Sequence, residues 1–284
     1  MVGGCPASRG RANRARRDHS IHSGPLEQVE TSRTGKTGDG SVGPMEDALW
    51  ERHAGWWQQE FTAGADAEYE EQILPLIEHH ARGARRVLDI GCGEGQVSRR
   101  IASHGAHVVG VDPTASQIRV ARGRGGSAQF VRARAEHLPC GDASFDTVVL
   151  CLALEHVDPF EAAIDEVARV LVPGGRFLLL LVHPLLQSPG SGWVEVIGSD
   201  DHFWRVGSYL GDDVSTDEVG PGIELSFAHR PLSRYVHEMG RCGLLIDDMV
   251  EPPPPAEVLL ETGGFPHACS IPRVMLLSAR RVRS

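Results

Sequence analysis

The chain has 284 residues, 41% of them hydrophobic and 23% charged, which suits a globular protein with a sizeable core and excludes disordered or fibrous composition. With 28 Lys and Arg against 38 Asp and Glu, the formal net charge is −10, which repels a polyanion and disfavours nucleic acid as the main partner. Six scattered cysteines form no CxxC pair and no zinc spacing, so they read as free thiols of a cytoplasmic protein and no metal site is expected.

Residues 1–44 are rich in Gly, Ser, Thr and Arg without hydrophobic periodicity, and are expected to be a disordered leader before one domain spanning 45–284. Arginines near the start have no apolar stretch after them, so they make no secretory signal. No apolar run approaches the roughly 20 residues that span a bilayer. "ALWERHAGWWQQEF" sets Leu49, Trp50, His53, Trp56 and Trp57 at helical spacing, and "ADAEYEEQILPLIEHHAR" follows as a second helix, bent or broken near Pro75. Together they predict an N-terminal helical cover.

From residue 85 strand and helix patterns alternate. Strands are expected at 85–91, 106–112, 128–133, 145–153 and 176–182, with the helix "DPFEAAIDEVARVLVPGG" capped by Asp158 and stopped at Pro173. Continuous apolar strands alternating with helices predict an α/β fold, a doubly wound, mostly parallel sheet with both faces covered and a core at 85–182. Residues 183–230, rich in Gly, Ser and Asp, read as an insertion after the fifth strand, without regular structure. Residues 231–284 return to a helix and two strands.

"VLDIGCGEG" at 87–95 ends a strand in three alternating glycines. A dinucleotide fingerprint is GxGxxG, and Gln96 stands where its third glycine belongs. Asp89, just before the turn, would repel a pyrophosphate but accept the ammonium of an amino acid. Asp112 closes the next strand 21 residues after Gly91, where a carboxylate accepts the hydroxyls of a ribose. A ligand with an amino acid at one end and a nucleoside at the other fits both, as S-adenosylmethionine does. Asp112 alone does not separate it from NAD, so an NAD-linked oxidoreductase stays open as an alternative.

The segments "VLDIGCGEG", "VVGVDPT", "AEHLPCGDASFDTVVLCLALEHV" and "ARVLVPGGRFLLL" resemble, in order, motifs of the class I S-adenosylmethionine-dependent methyltransferases. Within them the likeness is to the small-molecule group that includes ubiquinone and malonyl-carrier-protein methylating enzymes. The resemblance covers 87–182 and implies a seven-stranded Rossmann-like methyltransferase fold. It implies that Asp89, Gly91 and Gly93 surround the methionine part of the cofactor, Asp112 the ribose, and Ala135 and Glu136 the adenine, with Cys151 and Leu152 along its other side. Arg134 departs from the family, which often has an aspartate there.

Methyl transfer from a sulfonium needs orientation and, for an oxygen acceptor, removal of a proton. His156 and His183 follow the fourth and fifth strands, at the carboxyl edge where such sheets bind ligands, and are the two candidate bases. A structural hydrogen bond to the backbone is the competing reading of each. His202, Trp204 and Tyr209 in the insertion are further candidates for an acceptor pocket. The reading is methyl transfer to a small-molecule acceptor at oxygen or carbon. A module that binds the cofactor or a protein without turnover is its rival from another class.

Overall fold

The computed structural model describes residues 44–61, 66–195, 202–256, 258 and 268–282. The leader expected at 1–44 therefore lies outside the described residues, apart from Pro44. A seven-stranded sheet forms the centre, in the order β3 (Gln129–Arg132), β2 (His107–Asp112), β1 (Arg86–Ile90), β4 (Phe145–Cys151), β5 (Leu171–Val182), β11 (Val274–Arg281) and β10 (Leu244–Val250). The first five strands pair in parallel, while β11 runs antiparallel between β5 and β10. This is the doubly wound Rossmann-like arrangement that the alternating pattern predicts.

Strand alternation sends successive apolar side chains to opposite faces. Leu88, Ile90, Val148, Leu150, Phe177 and Leu179 pack with α5 (Phe160–Val170) and α7 (Leu232–Arg241) on one face. Val87, Val149, Leu178 and Leu180 face the other way, onto α2 (Leu74–His80) and α3 (Gln96–Ala102). Burial of each such side chain contributes about 1.5–3 kcal/mol, so both layers hold the sheet firmly. The order reverses direction between β1 and β4, and a crevice opens outside their carboxyl ends.

Several boundaries differ from the expected ones. The helix before β5 ends at Val170 rather than at Pro173, and β5 begins at Leu171. Proline drives the residue before it out of helical conformation, so Val172 is already extended. Leu171 pairs with Phe145 and Arg176 with Thr147, and the proline and glycines between them form a bulge in the strand. Asp158 does not cap α5, whose N-cap position is held by Pro159. Near Pro75, where a bend or a break is expected, the second helix continues through an irregular turn: Tyr69–Ile73 forms a π-turn, with Leu74 N–H bonded to the Tyr69 carbonyl, that leads directly into α2. A widened turn at this point accommodates a proline that has no N–H to give.

The insertion is more regular than its composition implies. After α6 (Pro184–Gln187), β6 (Gly192–Glu195) pairs antiparallel with β7 (His202–Arg205), and β8 (Asp213–Gly220) with β9 (Ile223–His229). Leu225, Phe227 and Ala228 on β9 are buried. α1 (Pro44–Glu60) lies against β9 and α4 (Ala115–Gly123), and forms the expected N-terminal cover. Its ties to α4 are specific: Gln58 Nε2 donates to Gln117 Oε1 at 2.8 Å, and the Ser116 N–H donates to the Glu51 carboxylate at 3.1 Å.

The turn after β1 depends on left-handed backbone at Gly91 (φ 70°) and Gly93 (φ 52°). A Cβ on Gly91 would overlap the Cβ of Ala153, whereas one on Gly93 meets nothing within 4 Å. Gly91→Ala is therefore expected to lower the unfolding free energy by about 2–4 kcal/mol, from strain plus overpacking. Gly93→Ala should cost only about 1–2 kcal/mol, from strain alone. Urea unfolding of both variants checks the contrast, and equal losses would show that Ala153 gives way.

Candidate active site

The crevice at the ends of β1, β2 and β4 is a cleft of about 1100 Å³ of empty space. It is built first by backbone. Gly91 N–H and Cys92 N–H both donate to the Val111 carbonyl, at 2.8 and 3.0 Å, which holds the turn after β1 against the end of β2. Asp112 completes the join. Its Oδ2 accepts from Gly93 N–H at 2.9 Å and its Oδ1 from Thr114 N–H at 2.8 Å. Thr114 occupies the N-cap position of α4 without a side-chain capping bond.

All eight cofactor candidates read from the sequence (Asp89, Gly91, Gly93, Asp112, Ala135, Glu136, Cys151 and Leu152) line this cleft, as does His156. Asp89 is 1% exposed and accepts from the Ser98 hydroxyl at 2.5 Å. Burial pushes its carboxyl up to about 7 against the pull of Ser98, and the nearby Asp112 charge adds to the rise. Glu136 accepts from Arg134 at 2.8 Å, so the arginine that departs from the family pattern neutralises a carboxylate beside the cleft. Leu152 takes a left-handed φ of 49° as the chain leaves β4. Burial pushes the pKa of the Tyr69 phenol well up, and the neighbouring Cys151 and Asp89 add to the rise.

The two histidines part company. His156 sits on a 3-10 turn, Leu154–His156, and its Nδ1 lies 2.8 Å from the Ser226 carbonyl. A carbonyl only accepts, so Nδ1 carries the proton and Nε2 the lone pair of the neutral ring. Burial pushes its pKa down to about 4, which keeps that ring neutral in ordinary buffers. His183 does not line the cleft. It caps α6, with Nδ1 accepting from Leu185 N–H at 3.1 Å and Nε2 at 2.8 Å from Glu251 Oε1. Both ring nitrogens are committed, which corrects the expectation of a base at this position.

Trp204 and Tyr209, two of the insertion's candidates for an acceptor pocket, are placed elsewhere. Trp204 donates to the Leu185 carbonyl at 3.4 Å, Tyr209 OH accepts from Leu232 N–H at 3.1 Å, and neither lines the cleft. The side chain of His202 lies outside the described residues. Sequence reasoning missed Arg230, which is 5% exposed and donates to the carbonyls of Leu154 and Val157 at 3.2 and 2.9 Å. Its guanidinium lies 4.4 Å from the centre of the Phe160 ring, so it braces the turn that carries His156. No local signal in "AHRPL" distinguishes this arginine from a surface one. The cleft also receives Trp50 and Trp57 from α1, and Tyr69. Their helical spacing marks a packed face but not what it faces.

Residues 88–179 match the methyltransferase domain family. An uncharacterized methyltransferase of Mycobacterium tuberculosis is 40% identical over 121 residues, which are 41% of this chain and 48% of that protein. An O-methyltransferase of Aspergillus nomiae is 34% identical over 143 residues, 45% of this chain and 60% of the other. The chain thus spans about half the length of the curated relatives it matches. The crystal structure of an S-adenosylmethionine-dependent methyltransferase from Mesorhizobium loti aligns with a TM-score of 0.62 and 26% identity, over 73% of this chain and 96% of that one. Fold and likeness together make residues 88–179 similar to the methyltransferase domain, on a sheet like that of S-adenosylmethionine-dependent methyltransferases. They give no support to the nicotinamide alternative. Among the described residues no group of His, Cys, Asp or Glu is arranged to hold a metal ion, and no helix is long and apolar enough to cross a membrane.

Two expectations test the site's electrostatics. The raised pKa of Asp89 means that its contribution to stability is full below pH 3.8 and is lost as pH rises to about 7. Asp89→Asn should therefore gain on the wild-type protein across that window, by up to about 1.4 kcal/mol per pH unit, and hold a constant lead above it. Urea midpoints at acidic and alkaline pH measure this. Arg230→Met keeps contact with Phe160 but removes a charged donor from two carbonyls, of which that of Leu154 keeps the Val157 N–H at 3.2 Å. Calorimetric unfolding should show a loss of about 2–4 kcal/mol.

Proposed function

We propose that the chain is an enzyme that moves the methyl group of S-adenosylmethionine to a small-molecule acceptor, at oxygen or carbon. One observation carries the reading: a single cleft brings Asp89, the glycine turn and Asp112 together with the neutral ring of His156. When bound, S-adenosylmethionine supplies an electrophilic methyl carbon on its sulfonium. The cleft suits that cofactor. The buried carboxyl of Asp89 accepts the cofactor's ammonium, and bare backbone at Gly93, with open space before it, permits close approach.

Asp112, immobilised by two N–H groups, accepts from the ribose hydroxyls, while Ala135 and Glu136 flank adenine, and Cys151 and Leu152 close the other side. His156 takes the acceptor's proton at Nε2, with its other nitrogen held by Ser226. His183 has no part in this reading. The fungal relative named as an O-methyltransferase supports an oxygen acceptor. The described cysteines are all free thiols, which fits a reducing compartment such as the cytoplasm.

Isothermal titration tests the cofactor half. S-adenosylmethionine should bind and NAD should not, with affinity falling as pH drops through about 7, because the ammonium needs Asp89 ionised. Asp112→Ala should weaken binding about 10- to 100-fold through loss of hydrogen bonds to a charged acceptor. Preferential binding of NAD would overturn the assignment. Transfer of labelled methyl to an added acceptor separates an enzyme from a binding module.

A further inference from the structure

The formal charge of −10 is spread unevenly along the chain. Residues 113–135 hold five arginines, Arg119, Arg122, Arg124, Arg132 and Arg134, and no carboxylate. The fold gathers them on and beside α4 and β3, the edge strand of the sheet. Two of them cross the seam between these elements in opposite directions. Arg122 donates to the Phe130 carbonyl from Nε at 3.1 Å and from Nη2 at 2.8 Å, and Arg132 Nε donates to the Pro113 carbonyl at 2.7 Å. A carbonyl fixes a guanidinium in place but leaves its charge uncompensated. Arg119, one helical turn before Arg122, shares its exposed side of α4. Glu94 and Glu136 are buried and matched by Arg99, Arg124 and Arg134. Among the described residues, the exposed carboxylate bonded to this segment is Glu51, on the Ser116 N–H, so the seam keeps an excess of positive charge.

The ribbon of β8 and β9 carries the opposite sign. Residues 211–224 hold five Asp and Glu and no lysine or arginine. Leu225 and Phe227 turn one face of the ribbon to the core, so Val214, Thr216, Glu218 and Glu224 lie exposed on the outer face. Glu218 and Glu224 stand directly opposite each other across the strands, a like-charge pair that destabilises a ribbon standing alone. Glu218 accepts from Gly222 N–H at 2.7 Å, and among the described residues neither carboxylate has a cationic partner. Cations arriving from outside would relieve that repulsion.

α1 lies between the two patches. Its Glu51 and Gln58 bond to Ser116 and Gln117, just before Arg119. Gly220, at the ribbon's tip, lies so close to Trp56 of that helix that an added Cβ would stand 3.1 Å from the indole nitrogen. The outer side of α1 exposes Glu51, Arg52, Gly55 and Gln59. A two-fold axis over this side sets each basic seam against the acidic ribbon of the other copy, so both contacts form at once and the assembly closes at two chains.

We propose that the chain forms a two-fold dimer across α1, in which Arg119, Arg122 and Arg132 of each copy meet the Glu218 and Glu224 face of the other. The planar guanidinium fork is suited to carboxylates presented in this way. At about 0.15 M salt, screening over about 8 Å removes the long-range repulsion between two acidic chains, while charges in contact still attract. The proposal is independent of the reading of the cleft.

Sedimentation equilibrium of the full chain tests it. At about 0.15 M salt the mass should rise with concentration from one chain to two and stop there, and at about 1 M salt the dissociation constant should be at least about tenfold higher. Two charge reversals read the contact itself: Arg119→Glu with Arg132→Glu, and Glu218→Arg with Glu224→Arg. Each doubly substituted protein alone should be monomeric, because like charges then face each other on both sides of the axis. An equimolar mixture of the two should regain the two-chain mass, since each patch again meets its opposite.

A wild-type chain that stays monomeric up to about 100 μM would overturn the proposal, as would follow if the chain's own arginine-rich residues 9–17 took the ribbon instead. That measurement needs no variant to fold. Growth beyond two chains overturns the two-fold arrangement. So does a dimer that persists in either reversed protein, or a mixture that fails to pair although both proteins melt like the wild type.

Discussion

The Asp112 carboxylate is the joint on which the site depends. One oxygen holds the N–H of Gly93 and the other the N–H of Thr114, so the reversal after β1 and the reversal after β2 are fixed to a single side chain. Charge-assisted bonds of this kind are about twice as strong as neutral ones, and here they are sheltered from water. Because β1 lies between β2 and β4, placing these two turns also places the end of β4 beside them, where Gly91 presses against Ala153. This half of the cleft is thereby organised by backbone geometry, which lowers the ordering cost of binding a ligand there.

The other half is built by packing between elements far apart in sequence. α1 brings the tryptophans, and β9 brings a carbonyl at Ser226 that sets the tautomer of His156. Immediately after β9, Arg230 clamps the turn that carries this histidine. Glu155, next to His156, is 1% exposed, and burial pushes its carboxyl up to about 7. A turn that encloses a histidine, a carboxyl and a guanidinium together is costly to fold. Its persistence is explained by the bonds that the insertion supplies from outside. The insertion thus acts from behind the wall as a support, and its Trp204 and Tyr209 bond to α6 and to the start of α7.

The glycine turn and its two carboxylates were legible because their requirements are local. A tight turn after a buried strand needs glycine, and a carboxylate at the end of the next strand accepts that turn's N–H. Both constraints act within about two dozen residues. Where two local rules compete, reading fails. "VARVLVPGG" continues a helical pattern, yet Pro173 had already driven Val172 into extended conformation and β5 begins at Leu171. In the insertion, polar composition hid two hairpins, since antiparallel ribbons with one face in water carry few apolar residues. The equivalence of His156 and His183 at the ends of neighbouring strands was broken by α6, which uses the His183 ring as its cap.

The amino-acid sequence by itself determined the doubly wound sheet, the positions of its first five strands along the chain and the glycine turn and carboxylates that meet at their carboxyl ends. These follow from periodicity and from short-range steric rules, which any folded arrangement of the chain must obey. Only the tertiary structure decided which histidine and which rings face the cleft, and which arginine is buried. Those outcomes depend on contacts between residues as distant as Trp50, His156 and Ser226. The position of a side chain along the chain carries no information about which distant carbonyl or ring will meet it once both faces of the sheet are covered.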